Sequence, residues 1–271
     1  MDNGVHFVSG LPRSGSTLFA AILKQNPRFH AGMTSPVASL ALSLQKNMSR
    51  ENDMALFIDN NQRTGILRAL FSAYYQDQHP TQVVFDTNRL WCSKLPLLIH
   101  LFPDAKIIAC VRHIPWIIDS IERLVRQNKL EPSKMFGFDV DGTIYNRFDM
   151  LTNTNCIIGF AYRSLREAFF SEESERMMLL TYESLTSSTK MAMQAVYEFI
   201  GEEWFEHNFD EVAYDADEFD YQLGSPGLHR VSGPVAPRKR KTILPPDLFT
   251  RMEKDSFWLE PNANVRNVKI V

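Results

Sequence analysis

The chain has 271 residues, of which 44% are hydrophobic and 23% are charged. This ordinary globular composition supplies a buried core and excludes a disordered, collagen-like or coiled-coil protein. The formal net charge of −3 argues against nucleic acid as the main partner, because binding it requires a dominant basic face. No apolar stretch approaches the roughly 20 residues of a membrane-spanning helix, so no membrane span is predicted.

The three cysteines, Cys92, Cys110 and Cys156, lie far apart and have no metal-ligand spacing. We interpret them as reduced thiols packed as small apolar residues, which favours the cytoplasm over an oxidising compartment. The first residues contain neither a basic segment nor a long apolar run, so no secretory signal is predicted.

Short apolar runs alternate with helical patterns along the chain. Strands are predicted at residues 5–9, 83–85, 106–111 and 177–181. Apolar residues at helical spacing follow the first strand and recur through 37–78, 95–102, 117–125, 156–170 and 191–201. Strands separated by helical crossovers predict an α/β protein of three layers, with a central parallel sheet flanked by helices. Since no linker or repeat interrupts the pattern, we expect a single domain over residues 1–271.

The last quarter of the chain changes character twice. Residues 202–220 hold nine acidic residues and no lysine or arginine, which is typical of a solvated surface. Residues 224–241 are rich in glycine, proline and serine and end in four consecutive basic residues. We expect residues 224–241 to form a mobile loop.

Residues 10–17 read GLPRSGST and directly follow the first predicted strand. They fit the P-loop frame of two glycines separated by four residues, except that Ser16 takes the lysine position. The free N–H groups and the dipole of the following helix attract an anion, and Gly15 lets the backbone close around it. Arg13 can grip a phosphate with two parallel N–H bonds. Hydroxyl donors are available from Ser14, Ser16 and Thr17. The alternative is a capped strand–turn–helix junction without a ligand.

A second anion site is predicted where the strand at 106–111 ends in Arg112. Ligands of open α/β folds bind at this carboxyl edge of the sheet, and Ser120 follows in the next helix. The alternative is that Arg112 and Ser120 are ordinary surface residues that bind no ligand. The missing P-loop lysine, and an arginine where an aspartate would hold Mg²⁺, disfavour a standard ATPase or GTPase.

The segments GLPRSGST, KIIACVR (with Ser120 eight residues after Arg112) and LLTYESL at 179–185 resemble three motifs of the sulfotransferases. Those enzymes use 3′-phosphoadenosine 5′-phosphosulfate (PAPS). The resemblance covers most of the chain and is closest to the branch that includes tyrosylprotein sulfotransferases and many bacterial enzymes. It implies a P-loop-like fold and an enzyme.

The resemblance also implies roles for individual residues. Residues 13–17 would bind the 5′-phosphosulfate, with Arg13 also facing the sulfuryl group. Arg112 and Ser120 would bind the 3′-phosphate, and Tyr182 would lie near the adenine, unless its ring simply packs in the core.

The basic end of the 224–241 segment resembles the late loop with which sulfotransferases cover the 3′-phosphate. Arg238 and Lys239 are therefore candidate cofactor-binding residues. The alternative is a solvated run of charge.

Sulfuryl transfer builds negative charge on the oxygen that bridges sulfur and phosphate, and a cation aimed there lowers the barrier. The family often places a lysine between its two phosphate motifs. Here Arg89 follows the second strand and is the candidate catalytic cation, with Lys94 as the alternative. A surface arginine paired with Asp86 is the other interpretation of Arg89.

The general base is not predicted. In the tyrosylprotein branch it is a glutamate in a Gly-Glu segment after the first helix, whereas this chain has Gly32 followed by Met33. Four weaker candidates are His30, Asp59, Asp86 and His113.

The sequence thus predicts a PAPS-dependent sulfotransferase that needs no metal and moves a sulfuryl group by in-line displacement. The acceptor would be a hydroxyl or amine of a small molecule, sugar or peptide. A P-loop kinase using ATP and a non-catalytic nucleotide-binding protein are the alternatives. The candidates to shape the acceptor pocket are residues 37–78 and the aromatics of the 130–155 loop, which are Phe136, Phe138, Tyr145 and Phe148.

Overall fold

Apolar runs form strands and amphipathic segments form helices in the computed structural model, which describes residues 4–76, 82–130, 133, 142–260 and 262–271. Its strands are β1 (Val5–Gly10), β2 (Phe29–Ala31), β3 (Val83–Thr87), β4 (Ile107–Val111), β5 (Met177–Thr181), β6 (Val212–Tyr214), β7 (Val231–Gly233) and β8 (Lys269–Ile270). Its α-helices are α1 (Ser16–Leu23), α2 (Val37–Asn47), α3 (Asn60–Tyr74), α4 (Leu95–Leu101), α5 (Ile114–Gln127), α6 (Ile144–Thr152), α7 (Ile157–Phe170), α8 (Tyr182–Ser187), α9 (Thr189–Ile200), α10 (Asp217–Gln222) and α11 (Pro246–Arg251).

Among the described residues, six strands form one parallel sheet in the order β2-β3-β1-β4-β5-β8. Strand β1 lies between β3 and β4, so the connections after β1 and β3 run to opposite sides of it. In parallel sheets this reversal leaves a crevice at the carboxyl ends of the strands. Strands β6 and β7 form a separate antiparallel ribbon. The predicted parallel sheet is confirmed.

Helices cover both faces of the sheet because strand side chains alternate between two apolar layers. In β4, Ile107, Ala109 and Val111 join the core formed with α2 to α7. Ile108 and Cys110 face the opposite way, into the core formed with α1 and α9. All five side chains are buried, and the three predicted layers are confirmed.

The sequence did not predict the four short strands β2, β6, β7 and β8. They contain two or three residues each, too few for the alternation of polar and apolar residues to be recognised. Phe136 and Phe138 lie outside the described residues. Of the helices described, none combines the length and apolar character needed to cross a bilayer.

Candidate functional site

The glycine loop, residues 10–17, makes a tight turn between β1 and α1. Gly10 has a φ of 103°, and a Cβ there would lie 2.2 Å from the Cys110 carbonyl oxygen, so only glycine fits. Gly15 caps α1 with a φ of 92°, and a Cβ there would lie 3.0 Å from the Tyr182 ring. Ser14 is buried, and its hydroxyl donates to the Pro12 carbonyl at 3.3 Å. Backbone N–H groups at the start of α1 thus remain available to an anion.

Arg13 has a left-handed backbone, with a φ of 56°. This conformation costs a non-glycine residue about 1–2 kcal/mol and is held here by contacts of the side chain. Its Nε donates to Ser120 Oγ at 3.3 Å, and its Nη1 donates to the Leu228 carbonyl. Arg13 therefore joins the glycine loop to helix α5 and to a turn more than 200 residues further along the chain.

Arg112 lies beside Arg13 at the end of β4. Its Nη1 donates to the Arg13 carbonyl at 3.4 Å, and its guanidinium lies over the Tyr182 ring at 3.9 Å. Its Nε is buried and has no hydrogen-bond partner among the described residues. A buried donor without a partner is costly, so this nitrogen is ready to bind an acceptor atom of a ligand.

These residues open onto a cavity of about 490 Å³. Six arginines line it: Arg13, Arg89, Arg112, Arg230, Arg238 and Arg240. Arg230 pairs with Asp217 and Arg240 with Asp119, whereas the other four have no carboxylate partner within the described parts of the chain. The lining contains no described aspartate or glutamate. The cavity therefore attracts an anion of several charges.

Burial and neighbouring positive charges lower the pKa values of Arg13 and Arg112 in the cavity. Burial lowers the pKa of Arg13 to about 10; the charges of Arg112 and Arg240 act in the same direction, and Asp220 opposes them. Burial likewise lowers the pKa of Arg112. Arg13 stays protonated at neutral pH, because an arginine with a pKa near 10 still holds its proton there.

The structure places Arg89 in the cavity lining, at the start of a 3-10 helix that follows β3, whereas Lys94 at the end of that helix does not line the cavity. Arg89 has no side-chain partner among the described residues. It does not pair with Asp86, which is buried and accepts from the side chains of Ser35, Tyr75 and Trp91. Burial against the cavity walls lowers the pKa of Arg89.

A C-terminal segment, residues 217–243, forms the opposite wall of the cavity. Asp119 on α5 anchors its end: the carboxylate accepts from the Ile243 N–H at 2.8 Å and pairs with Arg240 and Arg123, both at 2.9 Å. Arg238 lines the cavity and Lys239 does not. The mobility expected of residues 224–241 stays a prediction.

A carboxylate and a histidine of this segment were missed by sequence reasoning. Asp220 lies in the acidic stretch that we interpreted as surface, and at this residue the interpretation is wrong, since Asp220 is fully buried. Its carboxylate accepts from both the backbone N–H and the ring Nδ1 of His229, at 2.8 and 2.6 Å. His229 lines the cavity. Nothing in the sequence pattern distinguishes Asp220 from its acidic neighbours.

None of the four earlier candidates for the base lines the cavity: His30, Asp59, Asp86 and His113. Asp59 caps α3, and the His113 ring contacts the Glu253 carbonyl. Of the aromatic residues expected to shape an acceptor pocket, Phe148 is buried in the core and Tyr145 lies outside this lining, so the acceptor pocket stays a prediction. The lining instead contains Met33 and Thr34.

The sequence matches the family model described as "Sulfotransferase family" over residues 6–206, which is most of the chain. The chain belongs to the sulfotransferase family. The resemblance inferred from the motifs is therefore confirmed. Similar curated proteins include protein-tyrosine sulfotransferase 2 of Gallus gallus, 25% identical over 73% of this chain and 51% of that protein. Protein-tyrosine sulfotransferase 1 of Danio rerio is 26% identical over 73% of this chain and 53% of that protein. The chain thus spans about half the length of these relatives.

The fold of this family member is also found in a crystal structure of a sulfotransferase from Alicyclobacillus acidocaldarius. The two have a TM-score of 0.50 and are 11% identical, over 82% of this chain and 90% of the other. A likeness at this identity shows the shared P-loop-like architecture alone.

Proposed function

We propose that the protein transfers a sulfuryl group from PAPS to a hydroxyl or amine of an acceptor, by in-line displacement and without a metal. The observation that carries this proposal is the bond between Arg13 and Ser120. It joins the glycine loop to the pair formed by Arg112 and Ser120, although the two motifs are about 100 residues apart in sequence. Two anion-binding elements in one cavity suit a donor with a 5′-phosphosulfate and a separate 3′-phosphate.

The residues present fit this donor. The start of α1 and the side chains of Arg13, Ser16 and Thr17 line the part of the cavity proposed for the 5′-phosphosulfate. The unpartnered Nε of Arg112 provides a buried donor for the 3′-phosphate. Tyr182 is proposed to contact the adenine. Arg238 is proposed to cover the 3′-phosphate, and Lys239 would contribute only its charge.

Arg89 is proposed to act on the transition state. As the bond from sulfur to the 5′-phosphate lengthens, negative charge grows on the bridging oxygen. A cation placed in advance stabilises that charge by about 3 kcal/mol, as other preorganised donors do. Arg89 suits this role because it lines the cavity without a partner, whereas Lys94 lies outside the lining.

The acceptor is proposed only by chemical class. The names of the two relatives specify protein tyrosine, which is a hydroxyl acceptor, but this chain spans about half of their length. It also has Met33 where that branch has its glutamate. A cytoplasmic location is part of the proposal and is supported by the three free cysteines.

Titration calorimetry with adenosine 3′,5′-bisphosphate, ADP and ATP, each with and without Mg²⁺, tests the donor site. We expect the bisphosphate to bind without metal and better than ADP or ATP. Arg112→Ala should weaken that binding on the order of 10- to 100-fold, the loss expected for charge-assisted hydrogen bonds.

Arg163→Ala is the matched control, because this exposed arginine of α7 does not line the cavity. It should leave the affinity for the bisphosphate unchanged. Preference for ATP with Mg²⁺ would favour a kinase instead. Tight binding without any transfer from PAPS would favour a non-catalytic nucleotide-binding protein.

A further inference from the structure

The Asp220–His229 pair is a polar feature at the cavity wall to which the proposed function gives no role. Asp220 lies on α10 with no exposed surface, while 18% of the His229 side chain remains accessible. The chain reverses between them, and the Ser225 N–H donates to the Asp220 carbonyl at 2.8 Å. This turn brings the imidazole to the cavity wall and fixes its ring to a buried carboxylate.

The hydrogen bonds determine which ring nitrogen is free. An ionised carboxylate only accepts hydrogen bonds, so the short contact to Asp220 assigns the ring proton to Nδ1. The lone pair of a neutral ring then lies on Nε2. Among the described residues Nε2 has no hydrogen-bond partner. An imidazole oriented in this way by a carboxylate is suited to accept a proton.

Three charged groups face the ring. Burial lowers the pKa of His229 below its ordinary value of 6.5, and the charges of Arg13 and Arg89 act in the same direction. The hydrogen bond and charge of Asp220 oppose them. The ring is therefore neutral near pH 7, which is the form that a base requires.

The position of His229 relates it to the transfer step. Both Arg13, which is proposed to face the sulfuryl group, and Arg89, the proposed catalytic cation, lie close enough for their charges to act on the ring. The preceding residue, Leu228, accepts the hydrogen bond from Arg13. An acceptor that approaches the sulfuryl group thus meets the turn that carries His229.

We propose that His229, positioned by Asp220, is the general base that takes the proton from the acceptor hydroxyl. This inference rests on the proposed function and narrows its acceptor class to hydroxyls that are not ionised at neutral pH. The proton passes to Nε2 while the acceptor oxygen bonds to sulfur. The bond from sulfur to the bridging oxygen breaks, its electron pair stays on the 5′-phosphate, and the proton then leaves His229 to water.

The acidity of the acceptor tests this role. Transfer from PAPS is measured for wild type, His229→Asn and His229→Gln with phenol and with 4-nitrophenol at mildly alkaline pH, where 4-nitrophenol is ionised. Hydrolysis of PAPS by water is measured in parallel. Loss of a general base should slow transfer to phenol, and hydrolysis, by about 10²- to 10⁴-fold. Transfer to 4-nitrophenol should fall far less, because that acceptor has no proton to lose.

His100→Asn is the matched control, since this histidine of α4 contacts Thr64 and does not line the cavity. Binding of adenosine 3′,5′-bisphosphate shows that each variant is folded. Equal rates in wild type and both His229 variants would overturn the role of His229 and leave the proposed function standing. Wild type that binds the bisphosphate but catalyses neither transfer nor hydrolysis would also overturn the role of His229. Failure of wild type to bind the bisphosphate would overturn both proposals.

The pH profile separates positioning by Asp220 from a purely structural role. In wild type, kcat/KM should hold below pH 6.5 and fall only as His229 becomes protonated. Asp220→Asn removes the group that raises the pKa of His229, so the acid limb should move to lower pH and the plateau should fall. A lower plateau with an unmoved acid limb would contradict the assigned role of Asp220.

Discussion

The two walls of the cavity are built in different ways. One wall consists of the ends of parallel strands, where the glycine loop, Arg89, Arg112 and Tyr182 follow β1, β3, β4 and β5. The other wall is the C-terminal segment, which has a six-residue helix, one strand of a small ribbon and long irregular stretches. The first is held by the sheet itself. The second is held by polar contacts and by apolar side chains such as Leu228 and Val231, which pack against the cores on the two faces of the sheet. The strand-end wall therefore carries most of the proposed donor-binding residues, whereas the C-terminal wall carries Arg238 of the proposed donor site together with His229.

Two glycine substitutions, one in each wall, compare how tightly the backbone is constrained on the two sides of the cavity. Gly10→Ala adds a Cβ 2.2 Å from the Cys110 carbonyl oxygen in a left-handed backbone, so we expect a loss of about 3–5 kcal/mol in the free energy of unfolding. Gly233→Ala has a similar φ of 86° but meets nothing within 4 Å, so about 1–2 kcal/mol is expected. Urea unfolding measures both. Equal losses would show that the strand-end wall is no more constrained than the other.

Asp119→Asn should weaken the anchor of the C-terminal segment. Burial alone would raise the pKa of Asp119, but hydrogen bonds from Arg123 and Ile243 and the charge of Arg240 outweigh it and hold the pKa below 3.8. A lowered folded-state pKa stabilises the protein above the unfolded pKa, and this contribution is lost as pH falls through the folded value. We expect Asp119→Asn to cost about 1–3 kcal/mol at neutral pH.

The pH dependence supplies the control for that variant. Wild type should lose more stability than Asp119→Asn as pH falls below about 4, because only wild type has this carboxylate to protonate. Thermal unfolding from pH 7 to pH 3 checks this. Parallel curves for the two proteins would contradict the expected role of Asp119.

The smallest effects are expected for the two neighbouring exposed cations of the segment. Arg238→Ala should weaken binding of adenosine 3′,5′-bisphosphate by a factor of about 2 to 5, the range of an exposed ion pair, and the effect should shrink with added salt. Lys239→Ala should have no measurable effect, because Lys239 lies outside the lining. Calorimetry at two salt concentrations distinguishes them. Equal losses would indicate that the segment acts through its net charge.

The same contrast explains how far the sequence predicted the structure. The core strands are apolar runs of five or six residues, and parallel strands end at one edge of the sheet, so the meeting of Arg13, Arg112 and Ser120 could be predicted. The contact between Asp220 and His229 could not be predicted in this way, because neither residue lies at the end of a strand of the parallel sheet. It depends on a short turn and on burial of one carboxylate in an acidic stretch, neither of which has a periodic signal.

Arg13 contacts the C-terminal segment through the main-chain carbonyl of Leu228 rather than through a side chain. Every amino acid at position 228 presents the same oxygen, so the hydrogen bond itself does not depend on which side chain packs there. The side chains of this wall, and with them the molecules that the cavity admits, can therefore change in evolution while the hydrogen bond between the two walls is retained.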